Sequence, residues 1–423
     1  MARELWKNRV SWMAATTFLM ISSALGAPDH FGVLQGTLEH ADEGRRAGWN
    51  VAVISLVWDA FEPVAGQVDE GYVKRMEEKA RAFRKLGYRL QLDPGTQYPP
   101  DWIFDLLHAR YRNQYGQHFE STESGKRIPN YVFNRAIRQC TAAYLKRIFQ
   151  CLGTDWDWVR LGGGFYGEVN FPFHRFQDKG NCYWAYDDLA QGRAEGLAEG
   201  VKVCPVPGWL PGTPSSNHES ARAFLEWYLG SLQNYHDWQI STVRQWYKGE
   251  LCMMYGSWGI RPGGIESALA NDLDGRSQPE DVGELQSGYD WERMIGGIRD
   301  PKVIVYCTWI DAPEKVSDDE GKDPVRWSPV HWQASLAKKN PLNLKIWGEN
   351  TGKGDLSAMR LTFERVGKFG LMGALWAFEN DLFSQPRAET LATFEDFAKC
   401  IRKMKTRTVK NSGADNSPRP LLP

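Results

Sequence analysis

Two glutamates in this chain stand at the ends of short apolar runs that lie far apart in sequence. Glu168 ends the run Trp158-Val-Arg-Leu-Gly-Gly-Gly-Phe-Tyr-Gly-Glu168, and Glu349 ends Leu344-Lys-Ile-Trp-Gly-Glu349. Each run reads as a buried strand that breaks into a glycine-marked loop. Two carboxyl groups facing one pocket can cut a glycosidic bond. One protonates the leaving oxygen, and the other attacks the sugar or activates a water. Glu168, flanked by Tyr166 and Phe171, is the expected general acid, because apolar neighbours keep a carboxyl protonated. Glu349 is the expected nucleophile, or the base that holds water.

Such a pair needs a scaffold that brings distant strand ends together. Eight strand-like runs occur in order: 31–36, 51–58, 88–93, 158–163, 251–258, 303–309, 344–348 and 371–378. Most are continuously apolar, as in a parallel sheet covered on both faces. Helical periodicity fills the intervals at 70–86, 134–152, 220–247, 356–369 and 388–405, with Gly87 and Gly153 as stop signals. The alternation predicts an α/β fold, a single (β/α)8 TIM barrel. In that fold the ends of strands four and seven open onto one face, where Glu168 and Glu349 would meet. Long insertions follow strand three (Pro94 to Tyr131) and strand four (Asn170 to Asn217) on the same face.

Other residues are expected to contact substrate. The chain has 19 Trp and 16 Tyr, and Trp58, Trp258, Trp309, Trp347 and Trp376 fall at strand ends, where flat rings suit a sugar face. Trp376 is the expected platform. Tyr306 and Trp309 are placed to orient Glu349. Asp93, ending strand three, would reach a sugar hydroxyl or cap its own turn beside Pro94. Tyr166 and Asn350 flank the two glutamates, and Glu62 is read as holding a loop or a barrel arginine. The eight His show no metal spacing, so no metal and no cofactor is expected.

The 423 residues carry a net charge of −1 and no dense basic block, which argues against a nucleic-acid partner or a polybasic membrane surface. Arg3, Lys7 and Arg9, followed by the apolar stretch Val10 to Leu25 and Ala24-Leu-Gly26, form an expected export signal cleaved before Ala27. The catalytic barrel would then span 27–402 and a disordered tail 403–423. The mature protein would be secreted or periplasmic. In that setting Cys182 and Cys204, flanking one Gly- and Pro-rich insertion, are the expected disulfide among seven cysteines. The oligomeric state is left open.

The segment Val57-Trp-Asp-Ala-Phe-Glu-Pro-Val-Ala-Gly-Gln-Val-Asp69, the run Gly87-Tyr-Arg-Leu-Gln-Leu and the turn Tyr98-Pro-Pro-Asp-Trp102 resemble the family-42 β-galactosidases of glycoside hydrolase clan A. Tyr166-Gly-Glu-Val-Asn-Phe-Pro172 and Gly348-Glu-Asn350 are similar to the catalytic segments of β-amylases. Both resemblances imply a barrel with glutamates after strands four and seven, hence Glu168 and Glu349, and an oligosaccharide or polysaccharide substrate. The first implies retention at the anomeric carbon, the second inversion on an α-glucan. Gly167 stands where clan-A enzymes carry Asn, and Leu92-Asp-Pro-Gly-Thr-Gln97 stands where β-amylases carry His-Gln-Cys-Gly. A sugar-binding barrel without catalysis is the third alternative, and the presence of both glutamates argues against it.

Overall fold

A computed structural model describes residues 28–120, 127–383 and 390–413. The expected export signal at 1–26 and residues 414–423 of the expected tail lie outside the described residues. Eight parallel strands form one sheet: β1 (His30–Val33), β2 (Val51–Ser55), β3 (Arg89–Asp93), β4 (Trp158–Leu161), β5 (Glu250–Tyr255), β6 (Val303–Cys307), β7 (Ile346–Gly348) and β8 (Gly373–Trp376). The order β7-β6-β5-β4-β3-β2-β1-β8 closes a barrel where β8 returns to β7. This last seam is thin. It comprises the bridge Glu349–Leu375, with Met372 N donating to Ile346 O at 2.9 Å and Asn350 N to Leu375 O at 3.4 Å.

One helix of the outer layer follows each strand: α1 (Ala41–Ala47), α2 (Glu70–Lys85), α3 (Arg135–Leu152), α4 (Glu219–Val243), α5 (Trp291–Gly297), α6 (Pro329–Lys339), α7 (Leu356–Phe369) and α8 (Phe394–Gly413). Their starts are written in the sequence. Asp69, Asn134, Asp290, Ser328 and Asp355 each cap a helix by accepting a backbone N–H with the side chain. Gly370 ends α7 in the left-handed region at φ 69°, where a residue with a Cβ would be strained. Helix α8 continues to Gly413, so the chain is helical beyond the expected boundary at 402.

The strands are covered on both sides. Val51, Val53, Trp158, Cys252, Met254, Ile304, Tyr306, Trp347 and Leu375 fill the barrel interior. The alternate residues, such as Ala52, Ile54, Met253, Val305 and Trp376, join the layer between sheet and helices. At the floor His30 meets Trp158 and Trp347 edge-on, and those two indoles lie 4.9 Å apart. This apolar plug closes one end and leaves the other, at the strand C-termini, to polar side chains.

Candidate active site

The upper barrel is built from residues at inward positions of successive strands. On β4, Arg160 follows Trp158 by two residues and shares its inward direction, at 4% exposed. Its guanidinium Nη1 donates to Glu349 Oε2 at 2.9 Å and Nη2 to Oε1 at 3.3 Å. Tyr306 on β6 donates to the same Oε2 at 2.8 Å. Met254 Sδ accepts from Nη2 at 2.8 Å, and Gln91 Oε1 lies 3.5 Å from Nη1. Glu349 is therefore a buried carboxylate with both oxygens addressed and its charge met by a fixed cation. Burial and the neighbouring Glu349 charge hold the Tyr306 hydroxyl well above its ordinary range, so it stays a donor.

Glu168 is furnished differently. It follows a tight turn in which Gly163 N donates to Gly167 O at 3.1 Å and Gly164 N to Glu168 O at 2.7 Å. Tyr166 sits in this turn at φ 57° and is 58% exposed as a residue. Thr308, just past β6, donates to Glu168 Oε1 at 2.6 Å. Tyr289 and Asn170 reach Oε2 only at 3.5 and 3.4 Å. No cation pairs with this carboxyl among the described residues. Burial pushes it up to about 7, against the Thr308 hydrogen bond, and the Glu349 charge adds to the rise. Both glutamates follow the C-terminal ends of their strands, β4 and β7, and so stand on the same face of the barrel. Gly256, at the inward position past β5, leaves room for Glu168: a Cβ there would lie 2.0–2.1 Å from the Glu168 carboxyl atoms.

The other expected residues separate into two groups. Trp258 and Trp309, at the ends of β5 and β6, are both partly exposed and meet edge-to-face at 5.5 Å. Tyr306 is within the site. Asp93 is 8% exposed and spends Oδ1 on the N–H of Gly95 at 3.0 Å, with Gln97 Nε2 at 3.4 Å from Oδ2. The turn-capping reading therefore describes it. Asn350 ties the barrel seam: its Oδ1 accepts from Ala377 N at 2.7 Å and its Nδ2 donates to Lys353 O at 3.1 Å.

Trp376 corrects the expectation of a platform. Leu375 occupies the inward position of β8, so Trp376 faces outward, 1% exposed, against Phe397 of α8. Trp58 likewise opens a short helical turn, is wholly buried, and stacks on Tyr144 at 4.5 Å. Glu62 is fully buried, pairs with Arg147 at 2.5 Å and caps Gly66 N at 2.6 Å, holding its loop. Cys182 and Cys204 are both buried free thiols: Cys182 Sγ accepts from Asn113 Nδ2 at 3.5 Å, and no disulfide joins the described residues. Sequence reading did not single out Arg160, Thr308, Tyr289 or Gly256. Only Arg160 leaves a signal, a lone charge inside a doubly buried strand. No cluster of metal-ligating side chains occurs among the described residues.

No protein-family profile matches the sequence, and no curated protein is similar to it in sequence. Solved structures are similar in fold. The catalytic domain of a β-amylase from Paenibacillus polymyxa superposes with a TM-score of 0.62 at 14% identity, over 89% of this chain and 99% of that one. A β-galactosidase from the psychrophilic Marinomonas ef1 gives 0.58 at 11% identity, over 92% of this chain and 61% of that one. A β-galactosidase from Bacillus circulans sp. alkalophilus gives 0.53 at 9%, over 90% and 56%. The chain thus shares its (β/α)8 barrel with these proteins and spans about three-fifths of the β-galactosidase chains.

Proposed function

We propose that the protein is a glycoside hydrolase with Glu168 as general acid and Glu349 as the second carboxylate. One observation carries this reading. Two carboxyl groups past the C-terminal ends of β4 and β7 stand on one face of the barrel, yet one is paired with a guanidinium and the other with no cation among the described residues. Oppositely furnished carboxyls are what acid and nucleophile roles require. The (β/α)8 fold, seen in a β-amylase and in β-galactosidases, supports the same reading.

Retention, with Glu349 as nucleophile, is the first form, and a β-galactoside or related oligosaccharide is its substrate. Arg160 and Tyr306 then stabilise the carboxylate that must attack. A second form has one observation in its favour: the β-amylase domain is matched over 99% of its length. In that form Glu349 activates water and inverts an α-glucan linkage.

The test is a panel of β-galactosides, other aryl glycosides and polysaccharides, with the first-formed anomer read by NMR. Glu168→Gln should lower turnover of a natural glycoside by a factor of ~10² or more and affect activated leaving groups less. Unchanged turnover in that variant would remove Glu168 from the mechanism. Saccharide binding without turnover across the panel would leave a binding barrel instead.

We also propose export, on the charged and then apolar N-terminus. N-terminal sequencing of secreted protein should begin near Ala27. An intact Met1 on cytoplasmic protein would overturn this.

A further inference from the structure

A cavity of about 410 Å³ lies between the two long insertions. Its wall is a hairpin in which Phe119 N donates to Tyr111 O at 2.9 Å and Arg112 pairs with His118. One face of the hairpin is apolar. Tyr111 meets Phe171 at 5.9 Å and Phe119 meets Phe165 at 6.4 Å, so this face rests on the loop that carries Glu168. The alternate residues Arg110, Arg112, His118 and Glu120 line the cavity, with Asp187 and Asp188 opposite. The cavity is therefore separated from Glu168 by the hairpin itself.

Its charges are unevenly matched. Arg110 pairs with Glu120 at 2.9 Å, and Asp188 pairs with Arg193, outside the lining, at 2.9 Å and with His108, inside it, at 3.8 Å, and also feels the Arg112 charge. Arg112 makes no ion pair among the described residues, and its Nε is buried without a hydrogen-bond partner. Asp187, 3% exposed, accepts through Oδ1 from the N–H groups of Leu189 and Ala190 at 3.1 Å each, and the Asn130 side chain also faces its carboxyl. Burial pushes the Asp187 carboxyl up to about 7. A carboxyl raised in this way opposes a nearby anion less than an ordinary aspartate would. The fit is thus to a ligand with an acidic oxygen cluster for the free guanidinium and hydroxyls for the remaining polar groups.

We infer that this cavity binds the oxyanion group of an acidic sugar unit, with Arg112 as its partner. Its volume lies in the range of ~300–1,000 Å³ usual for small-ligand sites. The sugar part of the inference rests on the glycosidase reading; the anion part does not.

Calorimetric titration of the full chain with galacturonate, galactose 6-sulfate, galactose and inorganic sulfate tests it without turnover. An enzyme inactive on every glycoside would therefore leave the result standing, and failure here would leave the catalytic reading standing. At least one acidic sugar should bind about tenfold or more tighter than galactose, and Arg112→Ala should lose about that factor, with Arg112→Lys intermediate. Binding should weaken with added salt. In the unmutated protein the His118 ring resonances should shift on titration, which keeps the test decisive if Arg112→Ala folds poorly. Equal binding of galactose and both acidic sugars, an unmoved His118, or a folded Arg112→Ala that binds as well overturns the proposal. Inorganic sulfate binding as tightly as the acidic sugars would overturn its saccharide part.

Discussion

Arg160 reaches across the barrel from β4 to grip Glu349 at the end of β7, with Nη1 at 2.9 Å from Oε2 and Nη2 at 3.3 Å from Oε1. The strand before the proposed acid thus supplies the counter-charge of the opposite carboxylate. One side chain thus ties β4, the strand that leads to Glu168, to Glu349.

Arg160→Met leaves the Glu349 carboxylate buried without its cation. Breaking a buried pair in this way should cost roughly 3–5 kcal/mol. The double variant Arg160→Met/Glu349→Gln should recover part of that loss, since no lone charge remains. Urea unfolding of the wild type, both single variants and the double variant checks the sign. Arg160→Lys should fold and still lose activity, because an ammonium lacks the planar fork.

The pH dependence follows from Glu168. Its carboxyl is raised to about 7 by burial, so the proposed acid is protonated below that value. kcat/KM should fall as pH rises through about 7, and Thr308→Val should move that limb upward, because the Thr308 hydroxyl favours the ionised form. The same shift bears on stability. The folded value lies above the ordinary 4.5, so the contribution is full below 4.5 and is lost as pH rises through about 7. Glu168→Gln should flatten thermal stability across that window, measured by melting at a series of pH values.

Gly256→Ala should separate folding from function. Its Cβ would fall 2.0–2.1 Å from the Glu168 carboxyl, at the wall of the site rather than in the core. The side chain of Glu168 must move, so turnover should drop by about a hundredfold or more, the scale of losing an acid. Far-ultraviolet circular dichroism should stay native.

The indoles should divide by face. Trp376→Ala, in the layer between β8 and α8, should destabilise by roughly 3–5 kcal/mol. Its KM should stay near wild type once folded. Trp258→Ala and Trp309→Ala, at the partly exposed ends of β5 and β6, should raise KM with little change in melting.

Much of this was legible in the sequence for a physical reason. A strand covered on both faces is apolar at most of its positions, so the eight runs stood out as blocks. That same continuity hides direction: Leu375 and Trp376 are equally apolar, and nothing local says which one enters the barrel. Helices α2, α3 and α7 announced themselves by periodicity and caps, whereas α1 and α5, of seven residues each, are too short for a period to show. The two glutamates were visible because a strand end followed by glycine has a signature. Their partners were not. Thr308, Tyr289 and Gly256 come from three separate segments and acquire meaning only when the barrel closes.

The barrel closes at its thinnest point. β7 has three residues, and the bridge that seals it to β8 is made by Glu349 itself, with the Asn350 side chain as the clasp. The hinge of the staves and the proposed second carboxylate are thus one piece of chain. Local opening there, in the sense of amide exchange or mild denaturant, breaches the hoop and disarms the site in a single event. Loss of activity should run ahead of loss of helix, and a ligand that grips Glu349 would act as a rivet for the whole barrel.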